Sequence, residues 1–398
     1  MRSIAMLDLR GEYALFREEI RAAVDPVLES QQFIGGPAVA EVEEAIRTRY
    51  GVAHAIAVGS GTDALLCTLM ALGIGRDDEV IVPSFTFFAT AGTVWRVGAK
   101  PVFVDIDPRT FNMDATKVEQ AVTSKTRAIM AVHLFGQCAD MDAINVVAAR
   151  HGLKVIEDAA QAIGATYHGR FAGKLSDVAC LSFYPTKNLG GFGEGGMILT
   201  DDGELAAVAR QLRNHGESQR YRHDRVGGNF RLDTMKAAIL LVKLRSLDEF
   251  TRRRRHNASR YDEWLSESAV TTPYVPEGHD PVYHQYSILC DRRDELAAFL
   301  RDRGVGTGVY YPVPSHRQRC FASLGYGPGS LPITEQTCSR ILSIPCHPML
   351  TDDDVRYVAS CLREFCGTTF ATSGEAMNQS RERKRPVNIA TPRSRSGL

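Results

Sequence analysis

The sequence lacks the features that would place it in a membrane, on nucleic acid or in a disulfide-bonded scaffold. No apolar run approaches the roughly 20 residues that a membrane-spanning helix needs. Basic and acidic residues number 47 each, so the formal net charge is zero and favours no polyanionic partner. The nine cysteines are scattered and form no C-x-x-C pair, which is typical of reduced thiols. We therefore expect a cytoplasmic protein without nucleic-acid or membrane partners and without a zinc site.

Several common catalytic motifs are also missing. The sequence contains no Walker A loop, no H-E-x-x-H pair and no G-x-S-x-G turn, so it does not predict a kinase, a zinc protease or a serine hydrolase. Residues 191–196 do match G-x-G-x-x-G, but the apolar run 197–199 follows them. A dinucleotide-binding fingerprint requires a helix at that point, so this match is rejected.

What the sequence does contain is an alternation of strand and helix patterns. Helix-like stretches such as 64–72 and 143–150 separate seven apolar, strand-like runs. These runs are 54–58, 79–82, 101–104, 128–133, 154–157, 178–183 and 197–199. Near-continuous apolar strands joined by helices indicate an α/β fold with a largely parallel sheet covered on both faces. The glycine loop before 197–199 leaves no room for a helix, so we expect that connection to be antiparallel.

The length of 398 residues predicts two domains. We assign residues 1–250 to a large domain and 251–366 to a smaller C-terminal domain. A long helix is expected from about 234 to 265, with the basic run 252–255 on a solvated face. A strand at 282–289 and a helix at 293–303 follow. Residues 367–398 are rich in serine, threonine, arginine and proline, so we expect a disordered tail there.

Lys187 is the first candidate for chemistry, because it follows a buried strand within a glycine-rich loop. Parallel sheets bind ligands at this edge. Burial there lowers the pKa of an ammonium group, and the neutral amine can then form a Schiff base with an aldehyde cofactor. The alternative is an ordinary surface lysine in a turn.

Asp158 is the second candidate, directly after the apolar run 155–156. An acid at this point can cap the next helix. It can also keep a proton on the pyridine nitrogen of pyridoxal 5′-phosphate (PLP), which acts as an electron sink only in that state. Gln161 follows one helical turn later, within reach of the ring's phenolic oxygen.

A phosphate site is predicted at residues 59–63, between a strand and a helix. The glycines let backbone amides converge, and the helix N-terminus adds partial positive charge. Gly61 and Thr62, with Ser182, would form a phosphate cup near Lys187. Phe87 follows the next strand and offers either a ring to lie on the cofactor or ordinary core packing.

Together these motifs resemble the DegT/DnrJ/StrS sugar aminotransferases, which are PLP enzymes of fold type I. The resemblance runs from about residue 7 to residue 366. Its segments are 33–37 (FIGGP), 59–64 (GSGTDA), 83–87 (PSFTF), 104–108 (VDIDP), 133–136 (HLFG), 157–161 (EDAAQ), 182–190 (SFYPTKNLG), 213–216 (RNHG), 228–233 (GNFRLD) and 310–312 (YYP). It implies a large domain with a mostly parallel mixed sheet flanked by helices, and a smaller C-terminal α+β domain.

The resemblance also implies roles for single residues. Cofactor-binding positions are Gly61, Thr62, Phe87, Asp158, Gln161, Ser182, Lys187 and Asn229. Lys187 and Asp158 are the catalytic pair among them. Asn229 matches an asparagine that reaches the phosphate of the other subunit, which implies a homodimer with shared active sites. Expected near the substrate are Tyr310, Tyr311, His316 and Arg231.

The implied reaction moves an amino group from an amino acid, glutamate by analogy, to a keto group of a nucleotide-linked sugar, with C3 slightly preferred over C4. Arg222, Arg225 and Arg231 cluster near the dimer-crossing loop, where they could bind a diphosphate or carboxylate or pair with nearby acids. Two alternatives stay open. One is a PLP-dependent dehydratase or epimerase, although Lys187 favours transfer. The other is a catalytically silent regulator, for which the basic segment 381–386 would argue.

Overall fold

The computed structural model describes residues 3–367, so the expected tail lies outside the described residues apart from its first position. Twelve α-helices occur within this range: α1 (Leu9–Ser30), α2 (Pro37–Tyr50), α3 (Gly61–Ala71), α4 (Phe88–Arg96), α5 (Ala115–Val118), α6 (Met141–His151), α7 (Gly203–Arg213), α8 (Thr234–Leu244), α9 (Leu247–Leu265), α10 (Arg293–Asp302), α11 (Pro332–Arg340) and α12 (Asp352–Phe365).

Fourteen strands occur in the same range: β1 (His54–Val58), β2 (Glu79–Pro83), β3 (Lys100–Val104), β4 (Thr126–Val132), β5 (Lys154–Asp158), β6 (Thr166–Tyr167), β7 (Arg170–Phe171), β8 (Val178–Ser182), β9 (Gly196–Thr200), β10 (Glu217–Gln219), β11 (Arg222–His223), β12 (His279–Asp280), β13 (Tyr286–Leu289) and β14 (Ile341–Ile344). All seven apolar runs singled out in the sequence are strands.

Seven of these strands form one sheet in the order β1-β9-β8-β5-β4-β2-β3. The pairs from β8 through β5, β4 and β2 to β3 are parallel, whereas β9 lies antiparallel to both β8 and β1. The expected mixed sheet and its antiparallel connection are confirmed. The connection between β8 and β9, residues 183–195, is a glycine-rich loop without a helix, and it reverses the chain direction.

Both faces of this sheet are covered, and alternate residues of one strand enter different cores. In β1, Ala55 and Ala57 belong to one buried cluster, while Ile56 and Val58 belong to another on the opposite face. This division follows from the two-residue period of a strand. Because both faces of the sheet are buried, we look for a ligand site at the ends of the strands.

A third buried cluster defines the smaller C-terminal body. It joins side chains of α9, α10 and α12 to the antiparallel pair β13–β14. Ile4 also packs in this cluster and forms a parallel bridge with Val305, so the N-terminal segment contacts this body as well. The domain boundaries drawn from the sequence remain predictions. No helix among residues 3–367 is long and apolar enough to cross a membrane.

Two expectations about local structure are wrong. The single helix expected over 234–265 is two helices, α8 and α9, separated at Ser246, which has φ −103° and ψ 3°. The break lets α8 pack on α1 and α2 while α9 packs on α12. The strand expected over 282–289 begins only at Tyr286, because Tyr283 has a positive φ of 44°.

Candidate active site

A cavity of about 510 Å³ opens at the carboxyl ends of β5 and β8. Nine of the residues predicted from the sequence contribute to its wall: Gly61, Thr62, Phe87, Asp158, Gln161, Ser182, Lys187, Tyr310 and Tyr311. These residues come from segments that are far apart in the chain. The fold therefore gathers an amine, a carboxylate and a helix N-terminus in one enclosure.

Lys187 lies in a tight loop after β8. Its backbone N–H donates to the Tyr184 carbonyl at 2.8 Å, and the Gly191 N–H donates to the Phe183 carbonyl at 2.7 Å. Gly190 is needed in this loop, because a Cβ there would lie 2.2 Å from the Pro185 carbonyl oxygen. Burial lowers the pKa of the Lys187 amine to about 8, and the nearby Asp158 carboxylate opposes this shift. About one tenth of this amine is therefore neutral at pH 7.

Asp158 ends β5 and is 5% exposed. Thr90 Oγ1 donates to Asp158 Oδ2 at 2.8 Å, and the Ala160 N–H donates to Oδ1 at 3.3 Å. Burial raises the pKa of this carboxyl, while these two hydrogen bonds and the Lys187 charge act in the opposite direction. These contacts therefore favour the charged carboxylate, which is the form that keeps a proton on a neighbouring pyridine nitrogen.

Glu157, the residue before Asp158, anchors the same strand end on the opposite face of the sheet. Its carboxylate accepts hydrogen bonds from His133 Nε2 at 2.9 Å, from the Gly173 N–H at 2.6 Å and from the Leu175 N–H at 2.8 Å. His133 Nδ1 accepts from the Ala139 N–H, so the ring proton is on Nε2. Sequence reasoning did not single out this network, although an acid at the end of an apolar run was a visible signal.

The predicted phosphate cup lies where α3 begins beside Ser182. Ser60 caps the helix by accepting from the Asp63 N–H at 3.0 Å. A Cβ on Gly61 would lie 2.8 Å from the Ser182 Cβ, so only glycine lets β8 approach the helix this closely. The result is a hydroxyl beside free amides at a helix N-terminus, an arrangement that suits a phosphate. The residues present therefore fit PLP at its amine-reactive, pyridine and phosphate ends.

Aromatic and amide groups border the space between these ends. Phe87 is 55% exposed, so core packing alone does not describe its position. Its ring centroid lies 6.0 Å from that of Tyr311. Gln161 Oε1 accepts from the Phe135 N–H at 2.7 Å, and its Nε2 donates to the Tyr311 hydroxyl at 3.2 Å. The orientation of the Gln161 amide is thereby fixed.

Three predicted site residues do not line this cavity in a single protomer. Asn229 is exposed on the loop before α8, and Arg231 Nη1 donates to Asn214 Oδ1 at 2.5 Å. His316 is 1% exposed, with Ser84 Oγ 2.6 Å from its Nδ1 and Glu335 3.2 Å from its Nε2. The position of His316 therefore favours support of the segment before Phe87 over contact with substrate.

The cavity wall also contains residues that sequence reasoning missed, notably Arg254 and His284. The expectation that the whole run 252–255 is solvated is wrong, because Arg254 is 4% exposed. A signal was available in the sequence. Arg254 shares a helical stripe with Phe250, Ala258 and Tyr261, which are buried, at spacings of four and three residues.

Comparison with known proteins identifies the family. Residues 15–363 match the DegT/DnrJ/EryC1/StrS aminotransferase family. The chain belongs to this family. Membership confirms the predicted enzyme class, a PLP-dependent aminotransferase, and its cofactor.

Individual relatives match along almost their whole length. A pleiotropic regulatory protein of Geobacillus stearothermophilus is 50% identical over 91% of this chain and 98% of its own. The UDP-2-acetamido-2-deoxy-3-oxo-D-glucuronate aminotransferase of Pseudomonas aeruginosa is 44% identical over 90% of this chain and 99% of its own. The crystal structure of S. venezuelae DesV in complex with a ketimine intermediate has a TM-score of 0.90 at 42% identity, covering 92% of this chain and 99% of that one. The fold expected from the sequence is confirmed.

The lowered pKa of Lys187 predicts how the apoprotein takes up PLP. At pH 7 an amine of pKa about 8 is neutral roughly 300-fold more often than an ordinary lysine. The rate of PLP attachment, followed by visible absorption, should rise about tenfold from pH 6 to pH 7 and level off above about pH 8. A lysine-containing model peptide provides the control. A rate that climbs steadily to pH 10 in the protein would contradict the effect of burial.

Asp158→Asn should retain PLP but lose about 10³-fold in turnover, because a neutral amide cannot hold the ring nitrogen protonated. Steady-state kinetics and cofactor absorption measure the two effects separately. Asp202→Asn, which changes the cap of α7 on another part of the surface, is the matched control and should keep normal turnover. Near-normal turnover of Asp158→Asn would remove Asp158 from this role.

Proposed function

We propose that this enzyme moves an amino group from an amino acid, glutamate, to the keto group of a nucleotide-linked sugar. The observation that carries the proposal is that Lys187, Asp158 and the phosphate cup line one cavity of about 510 Å³. The Pseudomonas aeruginosa relative, named for transfer to a UDP-linked 3-oxo sugar, supports the acceptor class.

Two residues of this chain perform the chemical work in the proposal. PLP, when bound, supplies the electron sink that makes a neighbouring C–H bond acidic. Lys187 would hold the cofactor covalently and would also move the proton between cofactor C4′ and the substrate carbon, as general base and general acid. Its pKa of about 8 suits both directions of that transfer near neutral pH. Asp158 keeps the ring nitrogen protonated throughout.

A regulatory function is the second candidate, because a 50% identical relative is named a pleiotropic regulatory protein. Every position that the resemblance assigns to catalysis is nevertheless filled in this chain, and a silent regulator has no need of Lys187 or of the carboxylate network around Asp158. Conversion of glutamate to 2-oxoglutarate separates the two candidates. Dehydration or epimerisation is less favoured, since a lysine occupies the proton-transfer position.

We also propose a homodimer with shared active sites. Phe33 and Ile34 form backbone contacts with Thr234 and Asp233 beside the loop that carries Asn229, and these two neighbouring apolar side chains are 37% and 52% exposed. Exposed apolar surface of this kind favours association. Asn229 lies outside the cavity of its own protomer, and in the proposed dimer its amide reaches the cavity of the other subunit.

The shared site predicts complementation between two inactive variants. Lys187→Ala and Asn229→Asp, mixed and allowed to exchange subunits, should regain about one quarter of wild-type turnover, because half of the dimers are hybrids with one intact site each. Two Lys187→Ala preparations treated in the same way provide the control. A protein that sediments as a fully active monomer would contradict the proposal.

The acceptor should carry an anionic group, and C3 is slightly preferred over C4 as the position of its ketone. Among residues 3–367 no carboxylate lies within 4.0 Å of Arg225 or Arg231, whereas Arg222 has Asp224 at 3.8 Å. Pairing with nearby acids thus accounts for one of the three arginines only. The other two are left as cations for a diphosphate or a sugar carboxylate, and the loop that carries them adjoins Asn229.

A panel of 3-keto and 4-keto sugars linked to UDP or dTDP, each offered with glutamate, tests the acceptor. We expect amination of 3-keto substrates, with the new amine located by NMR. Arg231→Gln should raise the KM for the sugar nucleotide about tenfold or more, while Arg245→Gln, an exposed change outside the loop, should not. Amination at C4 only, or of free keto acids only, would overturn the proposal.

A further inference from the structure

A buried guanidinium borders the cavity on the side of the smaller domain. Arg254 belongs to α9 and lines the cavity together with His284 and Cys346. Its Nη1 donates to the carbonyl oxygens of Tyr283 at 3.1 Å, of Cys346 at 3.4 Å and of His284 at 3.5 Å. These bonds hold the side chain in place, but all of them go to neutral acceptors through one nitrogen.

Arg254 forms no ion pair among residues 3–367, although the more distant Glu12 carboxylate acts on its charge. No carboxylate lies within 4.0 Å of its guanidinium there, and its Nε is buried without any hydrogen-bond partner. Its neighbour Arg253, by contrast, pairs with Glu249 at 2.8 Å. A buried and unpaired cation is costly. Burial lowers the pKa of Arg254 in consequence. Because Arg254 lies beside the cavity, an anion bound in the cavity could pair with its charge and offset this cost.

His284 helps to define which anion fits. Burial holds the pKa of His284 well below its usual range, and the positive charges of Lys187 and Arg254 act in the same direction, so this ring is neutral. Its Nδ1 lies 3.2 Å from Asn188 Oδ1, in the loop that carries Lys187. A ligand with its amine at the Lys187 end and a carboxylate at the Arg254 end would span this ring.

The amino donor is the reactant that must carry both groups, because every amino acid has an amine and a carboxylate. We propose that Arg254 binds a carboxylate of the amino donor and of the 2-oxo acid formed from it. A guanidinium fits this task, since it presents paired N–H groups to a planar carboxylate. The inference rests on the proposed aminotransfer but not on the identity of the sugar.

The two half-reactions allow a direct test. Arg254→Gln should raise the glutamate concentration needed for half-maximal conversion of the PLP form about 10²-fold, and should leave half-saturation of the amine-loaded form by the keto sugar unchanged. Arg254→Lys should restore part of the affinity, because it keeps the charge but loses the fork of donors. Arg253→Gln, an adjacent exposed position on the same helix, is the matched control.

A binding measurement makes the test independent of turnover. The PLP form has no amine to exchange with 2-oxoglutarate, so calorimetric titration reports affinity alone. We expect weaker 2-oxoglutarate binding by Arg254→Gln and wild-type binding by Arg253→Gln, with cofactor absorption and the melting temperature recorded for each. An equal loss in both half-reactions would show a structural role, and a loss only with the keto sugar would assign Arg254 to the acceptor's anion. Either result overturns the inference.

The outcomes for the inference and for the proposed function are distinct. Wild-type protein that converts glutamate but aminates no keto sugar would refute the proposed acceptor and leave the role of Arg254 standing. Wild-type protein that reacts with no amino acid and binds no 2-oxoglutarate would refute both. If Arg254→Gln used glutamate normally and also aminated the sugar efficiently, the role of Arg254 would be refuted and the proposed function would stand.

Discussion

The site depends on the burial of an amine and a carboxylate close together at the carboxyl ends of two neighbouring strands. Burial disfavours the charged form of each group, lowering the pKa of Lys187 and raising that of Asp158, while their mutual attraction acts against both shifts. The balance leaves an amine that reacts near neutral pH and a carboxylate whose charged form the amine helps to retain. The rest of the architecture serves to hold these two groups in that balance.

The supporting contacts come from every layer of the fold. Thr90 on α4 fixes Asp158, and the buried Glu157–His133 pair fixes the strand that carries it. Lys243 on α8, paired with Glu12 of α1 at 2.5 Å, donates to the Gly190 carbonyl in the lysine loop. Arg254 of α9 and His284, which precedes β13, line the same cavity. The large sheet therefore positions Lys187 and Asp158, and residues that follow it in the chain complete the cavity wall.

Much of this could be predicted from the sequence, because its signals are local. The strands of the sheet are apolar runs, and Lys187, Asp158 and Gly61 lie at turns that directly follow such runs. Features that depend on tertiary packing were harder to predict. The break at Ser246 follows from a change of packing partner, and His316 is close in sequence to Tyr311 but bonded to Ser84. Arg254 was misjudged because three exposed arginines surround it, although its helical spacing placed it on the buried stripe.

The central claim is that Lys187 carries the cofactor as its covalent partner. Borohydride reduction of the PLP-loaded protein, followed by proteolysis and peptide mass spectrometry, tests it most directly, because reduction makes the link to the amine permanent. The account predicts a reduced pyridoxyl group on the peptide that contains Lys187 and on no other. Attachment to Lys174, Lys236 or Lys243 in its place, or a cofactor that washes away after reduction, would contradict it.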